Sequence, residues 1–191
     1  MNTSNKLNSY LPAPTKQKFA AIFRIVSRFS FWIQLALGGF SGIVLLLAIF
    51  SRNSTTTQID NPAIGLGIFL GIVGILLLAV RIYLAFRYRR LARRLQSPDI
   101  EIHPKREDIV RVLQIGLIIS AVGLLLAFLA SETTAIALLA RSLAIPQGVA
   151  VYRPENVIRS LDIFVVLANV NLIGAHLVGG ATSLGLIEWL D

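Results

Sequence analysis

Asp162, Asn169 and His176 recur every seven residues near the carboxyl end of the chain, and all three can exchange protons or hydrogen bonds. A helix turns about 100° per residue, so each seven-residue step drifts only about 20° and the three project from one side. Arg159 and Glu155 carry the same stripe further by steps of three and four, which sets Arg159 to pair with Asp162. Two kinds of chemistry fit this pattern. One is a polar path or ligand site with His176 as proton donor or acceptor and Asp162 at its mouth. The other is hydrogen bonding between helices that locks this segment to its neighbours.

The rest of the chain offers little reactive chemistry. It has no cysteine, which removes thiolate catalysis, disulfides and thiolate-held metals. Its two histidines, His103 and His176, are far apart and assemble no metal-ligand cluster. The glycines lie inside apolar runs rather than between a strand and a helix, so they make no phosphate cradle. No serine, histidine and acid are spaced for nucleophilic catalysis. The sequence therefore reads as a non-enzymatic protein with no catalytic residues, metal or cofactor.

Two further sets of residues could make contacts. Arg87, Arg89, Arg90, Arg93 and Arg94 surround Leu91 and Leu95 in FRYRRLARRL, a composition suited to anionic lipid headgroups or an acidic protein, or simply to fixing topology. Gly38 and Gly42, and again Gly67 and Gly71, have the four-residue spacing that lets two helix backbones approach closely. Such glycines serve packing within one chain or an interface with a homo-oligomer or another membrane protein.

The elements that must carry these residues are membrane helices. The 191 residues are 55% hydrophobic and only 15% charged, more apolar than a soluble domain. The net charge of +8 would suggest nucleic acid, but the basic residues flank apolar runs where lipid headgroups would meet them, so nucleic acid is not the partner. Residues 1–18 read as a mobile tail, and 19–191 as one membrane domain. Within it, residues 19–30 form an interfacial lead-in, and spans are expected at about 29–50, 63–86, 112–130 and 157–187. The first apolar run is too long and too late for a cleaved signal, so it is read as retained. Arg81 falls near the end of the second span, where its guanidinium is expected to snorkel to the surface. The basic loop covers 87–111, as helix extension, turn and helix start. Residues 133–145, only about thirteen and interrupted by Arg141, read as a short helix lying on the membrane surface. The expected architecture is all-α: a polytopic bundle of four transmembrane helices plus that interfacial helix.

Four crossings put both termini and the basic loop on one side. That side holds fourteen of the eighteen lysines and arginines, counting Arg81, which places it in the cytoplasm or the stroma. The basic loop and the closing run YRPENVIRSLDIFVVLANVNLIGAHLVGGATSLGLIEWL resemble a family of small four-helix membrane proteins of cyanobacteria and chloroplasts, a domain of unknown function. The resemblance extends from about Lys16 onward and is most specific over 149–190. It implies a thylakoid, envelope or plasma-membrane setting and assigns no site residues. The sequence favours a partner that assists assembly, stability or regulation of a larger membrane complex. The alternative is a small transporter or channel component lined by the Asp162, Asn169 and His176 face. Cysteines introduced singly at Ser97 and at Thr56 will react with an impermeant reagent from opposite faces of the membrane; reaction from the same face would overturn the topology.

Overall fold

The computed structural model describes residues 13–54, 62–95, 106–144 and 160–189, with side chains over 21–51, 62–88 and 90, 107–144 and 160–189. All of it is helical apart from single turn residues. The helices are α1 (Ala13–Ser54), α2 (Pro62–Leu95), α3 (Arg106–Leu143) and α4 (Ser160–Glu188). Each contains a stretch long and apolar enough to cross a membrane: Ala21–Ser51, Pro62–Tyr88, Glu107–Leu143 and Ser160–Glu188. The chain is thus an integral, multi-pass helical membrane protein.

Pairs of opposed residues give the arrangement. Gly38 faces Leu78 and Gly71 faces Leu45, so α1 and α2 run antiparallel. Arg81 meets Ser120, and Arg141 meets Asp162, so α3 opposes both α2 and α4. Ser41 reaches the Ala168 carbonyl across α1 and α4. The result is an up-down-up-down bundle in which each helix packs against two neighbours, while α2 and α4 approach across the short diagonal.

The interior follows a seven-residue repeat on every helix. The inward positions are Ser27, Gln34, Ser41 and Ala48 on α1, and Gly67, Gly74, Arg81 and Tyr88 on α2. On α3 they are Leu113, Ser120, Ala127 and Thr134; on α4, Asn169, His176 and Ser183, with Asp162 half-buried at the start. A 3.5-residue period keeps these positions facing one another along antiparallel helices. Many large apolar side chains point the other way: Phe29, Ile43, Phe50, Phe69, Leu76, Ile118, Leu125, Ile163 and Leu177 are all exposed, where lipid would cover them. Small and polar residues inside with large apolar ones outside is the packing that lipid rewards, because leaving lipid gives apolar side chains no driving force.

One sequence expectation needs correction. The separate interfacial helix over 133–145 does not form, because α3 continues unbroken to Leu143. Nothing there interrupts the backbone ladder: Thr133 and Thr134 donate their hydroxyls back to the carbonyls of Leu129 and Ala130 and so stay satisfied inside the helix. Ile145 lies outside the described residues. The lead-in over 19–30 runs on into the first span within α1, which begins at Ala13.

Gly67 shows how tightly these helices approach. A Cβ there would collide with the Thr134 hydroxyl and stand 3.0 Å from the Ala130 carbonyl oxygen, a backbone atom that cannot move aside. Gly65, two residues away, has open space around it. Gly67→Ala is expected to destabilise the bundle by about 1–3 kcal/mol as an overpacked contact, and Gly65→Ala to leave it unchanged. Equal unfolding midpoints for the two variants in detergent would contradict this packing.

Candidate functional site

The polar residues of the seven-residue repeat form a broken column along the bundle axis, and its centre is Arg81. This side chain is 1% exposed, so it does not snorkel to the surface. The correction has a structural cause: three helices offer it partners inside. Its Nε donates to Ser120 Oγ of α3 at 3.0 Å. Its Nη2 donates to the Gly179 carbonyl oxygen at 2.6 Å and to Ser183 Oγ at 2.8 Å, both on α4. The Tyr88 ring lies 5.1 Å from the guanidinium carbon, one heptad further along α2. Gln34 brings in α1, since a Cβ at Gly179 would stand 3.1 Å from Arg81 Nε and 3.4 Å from Gln34 Nε2. Side chains of α1, α2 and α3 therefore meet at Gly179 of α4 beside the guanidinium. Without Arg81, the positive residues of that side number thirteen against four opposite.

His176 sits one heptad deeper on α4 and is fully buried. Its Nε2 lies 3.1 Å from the Gly74 carbonyl oxygen. A carbonyl can only accept, so Nε2 carries the proton and Nδ1 is left as a bare acceptor, for which no partner is found. Gly74 lies twelve residues after Pro62 and thirteen before Arg87, about 18 Å from either end at 1.5 Å per residue. His176 is therefore near the middle of the apolar thickness. The ring presses on Gly123 of α3, where a Cβ would overlap it.

Asn169, a further heptad along, is buried against Gly71, whose Cβ would stand 2.6 Å from the amide oxygen. Both of its amide atoms lack a hydrogen-bond partner. Ser41 Oγ lies 2.8 Å from the carbonyl oxygens of both Leu37 and Ala168, sharing one proton between them. At the far end Asp162 pairs with Arg141 of α3 at 3.2 Å, and both side chains are 15% exposed. The expected partner Arg159 lies outside the described residues; the observed one comes from another helix.

The remaining sequence-derived residues fall elsewhere. Gly38 faces Leu78 and Gly42 faces Ile75, so that pair is directed at α2. Gly67 faces α3, and Gly71 faces α4 and α1. Arg87 and Arg90 are exposed on the end of α2; Arg89, Arg93 and Arg94 belong to the same helix, but their side chains lie outside the described residues, as does 96–105 of the basic loop. Among the described residues no three His, Asp or Glu side chains gather where one metal ion could be held. Sequence reading missed Arg81, Ser120 and Ser183. The heptad from His176 leads directly to Ser183, and Gly67, Gly74, Arg81 and Tyr88 repeat the same interval on α2.

The model of a family described as Protein of unknown function (DUF3611) matches residues 13–191, and the chain belongs to that family. No curated protein and no solved structure is a match.

The Arg81 contacts predict a specific coupling. Ser183→Ala strips an acceptor from a buried cation and is expected to cost about 1.5–3 kcal/mol, measured by unfolding in detergent. In an Arg81→Met background the same change should cost almost nothing. Equal costs in both backgrounds would contradict the bond.

Proposed function

We propose that this member of DUF3611 is a non-enzymatic membrane protein that assists the assembly, stability or regulation of a larger membrane complex. The supporting observation is how the interior polar side chains are used. His176 fills the notch at Gly123, Asn169 that at Gly71, Thr134 that at Gly67 and Tyr88 that at Gly116, each where even a methyl group would collide. A solute path needs polar atoms facing a gap; here they face the backbone of the next helix. Such a bundle suits a rigid platform whose working surface is its exterior.

Among the described residues, exposed arginines gather at one end of the bundle. Arg24 and Arg28 on α1, Arg87 and Arg90 on α2 and Arg111 on α3 are exposed at the same end of the bundle. An acidic partner protein or anionic headgroups match that end. The cytoplasmic or stromal placement of this end, and a thylakoid or plasma membrane as its site, belong to the same proposal.

A second reading keeps the fourth helix as the lining of a small transporter or channel component. It draws on the unpartnered Nδ1 of His176 and amide of Asn169, both buried deep in the bundle. Because four closely packed helices leave no lumen of their own, it requires several copies around a pore.

The two readings separate in one set of experiments. Purifying a tagged copy in mild detergent is expected to recover a stoichiometric partner by mass spectrometry. Replacing Arg87, Arg89, Arg90, Arg93 and Arg94 with Gln should reduce its recovery about tenfold, and His176→Leu with Asn169→Leu should weaken folding or assembly. A clean homo-oligomer, with solute flux abolished by the His176 and Asn169 changes while the fold is retained, would overturn the platform in favour of transport.

A further inference from the structure

Asn171 is an amide at mid-membrane depth that the bundle does not use. It lies two residues, about 3 Å, from Asn169 in the direction of His176. Two residues turn a helix by roughly 200°, so Asn171 looks outward where Asn169 looks inward, and it is partly exposed. Among the described residues, none hydrogen-bonds its amide. Thr182, another polar side chain on the same flank of α4, donates to the Val178 carbonyl of its own helix. An amide carries two N–H donors and a carbonyl acceptor, and the hydrocarbon of a bilayer offers a partner to none of them.

The residues that share its face form a second seam. Asn171, Gly174, Val178, Ala181 and Gly185 follow alternating steps of three and four, the spacing of a coiled-coil interface, and all are partly or fully exposed. The side chains are small, whereas the outer faces of α1 and α2 carry Phe29, Ile43, Phe50, Phe69 and Leu76. The two glycines do not serve packing within the chain. Among the described residues, a Cβ at Gly185 would meet nothing within 4 Å, and one at Gly174 would meet Leu37 Cδ1 at 3.6 Å, an ordinary contact. Gly67, Gly116 and Gly123 differ, since a side chain of another helix already fills the space beside each. A seam that lets a backbone approach, and that no helix of this chain approaches, fits a helix from another molecule.

We infer that this seam is the interface of a two-fold homodimer, in which α4 packs against α4 of a second copy and the two Asn171 amides bond each other across the axis. Topology selects the second copy. All copies insert in one orientation, so two α4 helices run parallel and residues of equal number meet at equal depth. An amide is self-complementary: each Asn171 donates an N–H to the carbonyl oxygen of the other. A different protein would need its own polar side chain at that depth beside a close-packing face, whereas a second copy brings both. A single asparagine in such a seam also fixes register, because a slip of one turn would leave both amides unbonded in lipid. The seam uses none of the interior column, so the dimer does not depend on whether the bundle is a platform or a transporter.

The chain has no cysteine, so single introduced cysteines report the interface directly. In native membranes treated with copper phenanthroline, Ala181→Cys is expected to give a disulfide-linked dimer. Ile118→Cys should stay monomeric: it is exposed on the outer face of α3, at a similar depth because nearby Ser120 meets Gly179 and Gly180. In liposomes, energy transfer between labelled copies is expected to show association that falls with lipid dilution. Asn171→Leu should weaken it about tenfold, Asn171→Gln should retain most of it, and Gly185→Leu should weaken it by bulk. Unfolding midpoints of these variants as dilute monomers in detergent should match the wild type, which separates association from folding. Wild-type protein that is monomeric at every dilution, equal cross-linking of Ala181→Cys and Ile118→Cys, or unchanged association of Asn171→Leu would each overturn the dimer. So would capture of a different protein, in place of the second copy, by a photoreactive residue at position 181.

Discussion

A guanidinium that cannot reach water must be solvated by protein, and the bundle is arranged around that requirement. Arg81 needs several acceptors in a fixed fork, and no single neighbouring helix supplies them all. Ser120 comes from α3, while Ser183 and the Gly179 carbonyl come from α4. For the Gly179 carbonyl to accept, the backbone of α4 must come within reach of α2 across the diagonal, which small residues permit. Gly179 and Gly116 have that role: a Cβ at either would run into the side chains around the guanidinium. An arginine at the centre of a span costs about 2.5–3.5 kcal/mol on insertion scales, and Arg81, about 10 Å from the centre, less than that, before its partners are counted. The contacts that offset this also fix the register of α2, α3 and α4, since a shift of one residue would separate the donor from all three acceptors.

The same logic repeats at lower stakes along the axis. His176 and Asn169 each insert a polar side chain into a glycine notch, and Ser41 bridges α1 to α4 through a backbone carbonyl. The His176 and Asn169 contacts are one heptad, about 10 Å, apart, and the Ser41 bridge to Ala168 lies level with Asn169. Between them, Leu45, Leu78, Leu172, Val165 and Ala168 pack into an apolar core. Polar contacts therefore specify alignment at intervals, and apolar packing fills the lengths between.

How much of this was legible in the sequence depended on whether a feature was periodic or relational. The four apolar runs and the α4 stripe could be read because composition and spacing carry them. Arg81 was misjudged for a positional reason: six residues before a run of arginines, it looked able to reach the surface, and only the acceptors on α3 and α4 hold it inside. The Asp162 contact with Arg141 could not be read in advance, because Arg141 lies on another helix, 21 residues earlier, whereas spacing along one helix can nominate only near neighbours. Thr133 to Leu143 looked like a separate short helix because Glu132 seemed to end the third span. Glu132 is exposed, however, and an exposed charge on one face does not interrupt the backbone of a helix.

The placement of Arg81 also bears on how such a chain is made. The cation is carried by the second helix, but every hydrogen bond described for it comes from the third and fourth, which a ribosome delivers later. Between those events the nascent membrane domain holds a cation whose protein ligands have not yet been synthesised. In that interval it must remain near the headgroups or within the insertion machinery. The last helix to emerge therefore does more than add a fourth crossing: its Gly179 and Ser183 complete the coordination that lets the second helix settle at its final depth.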